Sequence, residues 1–447
     1  MIGQELVIGL VAIGAAGGAI LYGGEEGLAA LYLVALTIGG GLIAYRFPTS
    51  TLMAWAVLSL YWRQLMDAVD IAGGIDARPT DPILLAMAVA LVYAFMQGDR
   101  RTQYVFTGPC IMWVAFFAWV GLQVGMSSPR YGLVSALGEF RLSFQPLLVL
   151  PFIVAFVRTK EQQRRLFIGL VWLSVVFVSV AIVNGLFFHD GTGSKGTRWM
   201  VAHVNLALAL VIGAWYTARR TGFWTGASNA YGVLLLAGLA LIVFCAHRSV
   251  WAATVTIIFC LSVFGLISAK DCFKLAGGLL LAAFTIDILA ADLNLIDFVR
   301  ERMTAFTSYT EDATASWRAQ VWAAAIEQVK ANPVSGKGLG NYFYFQLDDT
   351  RVVTTIPHNV YVQLSLQVGL VGLCLYLAMV GHMFQVLRRA YRRAGDIHSL
   401  SLTMYGMIAL LGGSVFYFAY GFEPFTWLFV GAGMAAALTQ STSFPRD

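Results

Sequence analysis

SWRAQVWAAAIEQVKANPVSGKGLGNYF, residues 316–343, leads through a short polar run into PHNVYVQLSLQVGLVGL, residues 357–373. The first stretch has the pattern of an amphipathic helix that ends in a glycine-rich turn. The second opens on Pro357 and His358 and then stays apolar. A water-compatible segment therefore feeds directly into a membrane helix, and chemistry is expected where the two meet.

Outward from that junction the chain is lipid-embedded. Its 447 residues are 59% hydrophobic and 12% charged, with 13% aromatics. A bilayer span takes about 20 mostly apolar residues, and such runs recur from end to end. The alternation of an outer-membrane barrel is missing. The expected fold is all-α: a polytopic membrane bundle of about 12–14 transmembrane helices with one large periplasmic loop containing amphipathic helices. By run length the helices fall at 5–23, 28–46, 50–66, 82–97, 104–125, 144–158, 165–188, 201–217, 230–246, 249–267, 274–292, 358–386, 400–420 and 424–440. The first run reads as a retained helix rather than a cleaved signal. The five cysteines have neither metal-type nor disulfide-framework spacing.

Lys and Arg mark cytoplasmic loops. They cluster at Arg46, Arg100-Arg101, Arg158 to Arg165, Arg219-Arg220, Lys270 to Lys274 and Arg388 to Arg393, and alternate loops lack them. This places both termini in the cytoplasm. It divides the chain into membrane helices over 1–292, a periplasmic loop domain over 293–357, and C-terminal membrane helices over 358–447. Several cations break the pattern on the outer side. Arg78, Lys337 and Arg351 read as scattered loop charge. Arg248 does not: it falls in a turn between two long apolar helices, where a cation needs an anion, a ligand or a water-filled cavity.

Within the loop, residues 316–330 form a helix with Ser316 as N-cap, stopped by Asn332-Pro333. At about 100° per residue, Trp317, Val321, Trp322, Ile326 and Val329 share one face, and Arg318 projects from its middle. An inward Arg318 either snorkels to a loop carboxylate such as Asp348 or offers its planar fork to a phosphate. Gly336-Lys337-Gly338-Leu339-Gly340 reads as a flexible turn; it lacks the spacing of a nucleotide-binding loop. His358 begins the next helix, whose N-terminus favours the neutral imidazole that a general base requires. Asn359 can cap that helix or bind a sugar. The pairs Glu25-Glu26 and Asp348-Asp349 read as solvated acids, so no metal and no cofactor is expected.

Arginines near one histidine, close to lipid, suit a lipid-linked diphosphate. The diphosphate leaves readily once its charge is neutralised. The segment with Trp317-Arg318, Trp322, Pro333, Gly336, Gly338, Gly340, His358-Asn359 and Gly369 to Gly372 resembles the O-antigen ligase and O-antigen polymerase superfamily of bacterial membrane proteins. Arg198 to Asn205 and Arg248 to Trp251 are similar to that family's other arginine-bearing regions, with Val204 standing where the family often has proline. The resemblance implies a metal-independent glycosyltransferase of the inner membrane, working at the periplasmic face on undecaprenyl-diphosphate-linked glycans. His358 would be the base. Arg198, Arg248 and Arg318 would bind phosphate, and His203 and Asn359 would add substrate contacts. A ligase would deliver the glycan to lipid A-core in lipopolysaccharide biosynthesis; a polymerase would deliver it to another repeat unit. A polysaccharide or lipid transporter is the rival class, but it usually needs intramembrane carboxylates, of which Asp287 is the clearest here.

Overall fold

A computed structural model describes residues 37–65, 69–71, 75–77, 80–99, 102, 105, 110–187, 248–265, 267–289, 313–341, 343–347, 350–354, 357, 359–394 and 424–442. These residues form a helical membrane bundle with two small hairpins. A helical segment over 37–46 is followed by α1 (Pro48–Leu65), the hairpin β1 (Val69–Ile71) and β2 (Ile75–Ala77), and α2 (Thr80–Met96). Then come α3 (Ile111–Tyr131), α4 (Leu133–Ser143), a 3-10 turn over Gln145–Leu148, α5 (Val149–Phe156) and α6 (Lys160–Phe187). The remainder is α7 (Arg248–Val263), α8 (Ala269–Leu289), α9 (Ala313–Ala331), the hairpin β3 (Phe343–Leu347) and β4 (Thr350–Thr354), α10 (Val360–Ala394) and α11 (Pro424–Thr442).

Among the described residues, Ile111–Tyr131 and Val360–Ala390 are each long and apolar enough to cross a bilayer unaided. The helix expected over 144–158 is instead the lower part of a broken element. Leu133–Arg141 and Gln145–Phe156 meet at 67°. Pro146 sits in the 3-10 turn between them, where it opens the return segment without costing a helical hydrogen bond. Arg248, expected in a turn, is the first residue of α7.

The core is built around α11. Residues 427–437 of this helix are buried on every side, as expected for a helix apolar all round. It packs against α1, α5, α6 and α10. Small residues allow these close approaches: a Cβ on Gly431 would meet Ile153 Cδ1 at 2.6 Å, and one on Gly169 would meet Met53 Sδ at 2.8 Å. At the other end of the α6–α11 contact, Gln163 Nε2 donates to Thr439 Oγ1 at 2.9 Å. Such polar ties hold membrane helices together where no hydrophobic force acts between them.

Candidate active site

The site is organised by the first nine residues of α10. Asn359 is the N-cap: its Oδ1 accepts from the Tyr361 amide at 2.9 Å and the Val362 amide at 3.1 Å. That satisfies two of the donors a helix start leaves open. Asn359, Pro357 and Val360 are buried, so the start of the helix is held inside the protein.

From one side α9 grips this start. Val321 and Ala325 are fully buried against Leu366 of α10, with Trp317, Trp322, Ala324, Val329 and Val362 around them. The Trp322 Nε1–H donates to the Pro357 carbonyl at 2.7 Å. This bond ties the middle of α9 to the residue just ahead of His358. Arg318 lies at the angular centre of the same face and is half-buried. Ile326 departs from expectation: it is 45% exposed. It is 100° round from Ala325 and falls on the far edge of a face narrower than the composition suggested.

The glycine turn is docked, not flexible. Helix α10 is broken at Gly369, whose φ is 71° and ψ is −178°. The break leaves the Leu366 carbonyl and the Leu370 amide without each other. The loop after α9 takes both: the Lys337 amide donates to Leu366 O at 2.7 Å, and the Leu370 amide donates to Pro333 O at 2.8 Å. Trp119 of α3 donates from Nε1 to the freed Val368 carbonyl at 2.8 Å. Three of the backbone groups at the kink thus find partners outside the helix, as burial away from water demands. Gly336 and Gly369 lie face to face: a Cβ on Gly336 would stand 2.6 Å from the Gly369 nitrogen, and one on Gly369 would overlap the Val334 carbonyl. Further on, the Leu339 amide donates to Ser127 Oγ at 2.8 Å and Tyr131 Oη donates to Lys337 O at 3.1 Å.

On a third side stands α4, which the sequence reading passed over. Its Arg141 pairs with Asp81 at the start of α2 at 3.3 Å. Gln145 Nε2 donates to the same carboxylate at 2.6 Å. Two residues before Arg141, Glu139 faces α10 and takes hydrogen bonds from Gln363 and Gln367.

Of the expected site residues, Arg318 lies on α9 and Asn359 caps α10, two helices that pack together. Arg248 heads α7. His358, Arg198 and His203 lie outside the described residues. Among the described residues no three His, Cys, Asp or Glu side chains are grouped to hold a metal ion.

Comparison with known proteins bears on these residues. Residues 232–377 match the family model described as O-antigen ligase. That span contains Arg248, Arg318, His358 and Asn359, and stops short of Arg198, His203 and Glu139. Over 346 residues the chain is 25% identical to an O-antigen ligase of Pseudomonas aeruginosa, covering 76% of this chain and 80% of the relative. Both comparisons support the O-antigen ligase superfamily.

Proposed function

We propose that this chain, as a protein of the O-antigen ligase superfamily, transfers a glycan from undecaprenyl diphosphate to an acceptor hydroxyl at the periplasmic face of the inner membrane. His358 takes the proton of the acceptor hydroxyl. The hydroxyl oxygen bonds to the anomeric carbon as the bond to diphosphate breaks, and undecaprenyl diphosphate leaves. Arg198, Arg248 and Arg318 offset the charge of the departing group. The acceptor of a ligase is lipid A-core.

The observation that carries this reading is the seating of α9 on the first turns of α10, fixed by Trp322 Nε1 on the Pro357 carbonyl at 2.7 Å. It holds a half-buried guanidinium-bearing helix against the residues that flank His358. Arg248 adds a second argument. A cation at the first residue of a helix opposes the macrodipole by about 0.3–1 kcal/mol, a cost that a bound anion reverses.

The test is turnover by the purified full chain in detergent, with undecaprenyl-diphosphate-linked glycan and lipid A-core, and no nucleotide sugar. Glycosylated lipid A-core is the expected product; glycan elongated on the diphospholipid would make the enzyme a polymerase. His358→Ala is expected to lower the rate at least about 100-fold, as loss of a general base does, with unchanged unfolding temperature and retained donor binding. A wild-type rate in that variant would remove His358 from the chemistry.

A further inference from the structure

Glu139 has no part in the transfer as described, yet it is built into the contact that carries it. Its carboxylate takes its partners from side-chain amides and a hydroxyl. Gln363 Nε2 donates at 3.3 Å, Gln367 Nε2 donates a short bond, and Ser143 Oγ donates at 3.5 Å. Gln367 Nε2 also reaches Ser143 Oγ at 3.4 Å. Gln363, Gln367 and Ser143 are buried, and the Oε1 atoms of both glutamines have no hydrogen-bond partner.

A cluster of this kind is a poor way to gain stability. A carboxylate among apolar helices loses hydration that amide donors only partly replace, and each orphaned amide oxygen adds to the loss. Apolar side chains of similar volume would pack as well. What the cluster does provide is direction. Because α10 is broken at Gly369, residues 360–368 depend on contacts of their own, which α9 supplies on one side and Glu139 on another. Gln363 and Gln367 lie one and two turns below Asn359 on one stripe of that upper part. A single carboxylate holding both amides sets the rotation and the height of the stripe together.

We propose that Glu139 is a positioning residue for glycan transfer. Through Gln363 and Gln367 it orients the first two turns of α10 and so the direction in which His358 is presented. The proposal rests on His358 being the base. It adds a residue of α4, outside the residues 232–377 that match the family model, to the machinery.

The test uses the full chain in detergent with the same lipid-linked donor and lipid A-core. It has two readouts: steady-state rates, and the rate at which diethyl pyrocarbonate modifies His358, followed by peptide mass spectrometry. Glu139→Ala is expected to lower kcat by about 10- to 100-fold, the scale of a small misplacement of a reacting group, with KM held within about 3-fold. The modification rate of His358 should change by about 3-fold or more, as a reoriented imidazole requires. Glu139→Gln is expected to restore most of kcat. Its amide oxygen still accepts, and its NH2 offers a donor to the orphaned Oε1 atoms. If Glu139→Ala does not fold, Gln367→Leu removes the same bond at similar volume and should show both changes. Combined with Glu139→Ala or Glu139→Gln, its effect should be less than additive.

Wild-type kcat and wild-type His358 reactivity in Glu139→Ala would overturn the proposal. So would a loss confined to KM, which would mean direct substrate contact, or a Glu139→Gln variant as inactive as the alanine, which would mean proton chemistry. A wild-type chain that does not turn over removes the functional reading; the His358 modification rates still decide whether Glu139 orients the helix start.

Discussion

Asn359 was open to two roles in the sequence, cap or sugar ligand, and the structure commits its oxygen to the cap. Both the Tyr361 and Val362 amides bind Oδ1. An aspartate can do the same, whereas an alanine cannot. Asn359→Ala is therefore expected to lower unfolding free energy by about 1 kcal/mol, and Asn359→Asp to stay near wild type in both thermal unfolding and turnover. An aspartate variant with normal melting but lost turnover would show that the amide group touches substrate. Gly369 is a second residue whose identity is dictated. A Cβ there combines left-handed strain of about 1–3 kcal/mol with overpacking against the Val334 carbonyl of a similar about 1–3 kcal/mol. Gly369→Ala should lower the unfolding temperature of the purified chain well beyond Gly121→Ala, where a Cβ meets nothing within 4 Å. Equal melting of the two variants would contradict the docked loop.

At the scale of elements, what was legible tracks what a local pattern encodes. Asn332-Pro333 stops α9 where expected, because proline cannot continue a helix and restricts the residue before it. The start of α10 just after Pro357-His358 was equally plain. The sequence hid α4: LVSALGEFRLS mixes apolar and polar residues too evenly to read as a span, and its role comes from α10, more than two hundred residues away. The hairpin Val69–Ile71 with Ile75–Ala77 gives three-residue strands, too short for alternation to register. The docking of the glycine turn depends on a break at Gly369 inside an apolar run that reads as continuous. The elements also separate two arginines that composition leaves alike. Arg248 heads α7, whereas Arg351 sits in β4, opposite Gln346 in the hairpin register. Arg248→Ala is expected to weaken binding of the lipid-linked donor about 10-fold or more, the scale of one charge-assisted contact, and Arg351→Ala to change it little. Titration of detergent-purified variants with fluorescent donor checks this; equal losses would count against a phosphate role for Arg248. Arg248→Lys should recover only part, since an ammonium lacks the bidentate fork.

The whole molecule bears on enzyme against transporter. Coupled transport across a bundle needs ionisable groups that exchange protons or ions inside it, and such groups face a buried pathway. Among the described residues the buried polar side chains are Thr, Ser, Asn and Gln, and the carboxylate set among the helices, Glu139, is held by two amides of α10. The central helix α11 is closed on every side by its neighbours. Arg318 and Glu139 lie on the two helices, α9 and α4, that pack against the upper part of α10. Under the proposed function the reaction is completed at one face, driven by release of diphosphate and indifferent to ion gradients. The full chain in sealed vesicles, with donor and lipid A-core in the same leaflet, should therefore form product at a rate unchanged within about 2-fold by ionophores, since a rate change of that size is only about 0.4 kcal/mol in the barrier. The same chain in detergent, where no second compartment exists, should still turn over. A rate that collapses with the proton or sodium gradient, or that needs the intact vesicle, would mean that movement of substrate through the bundle limits the process.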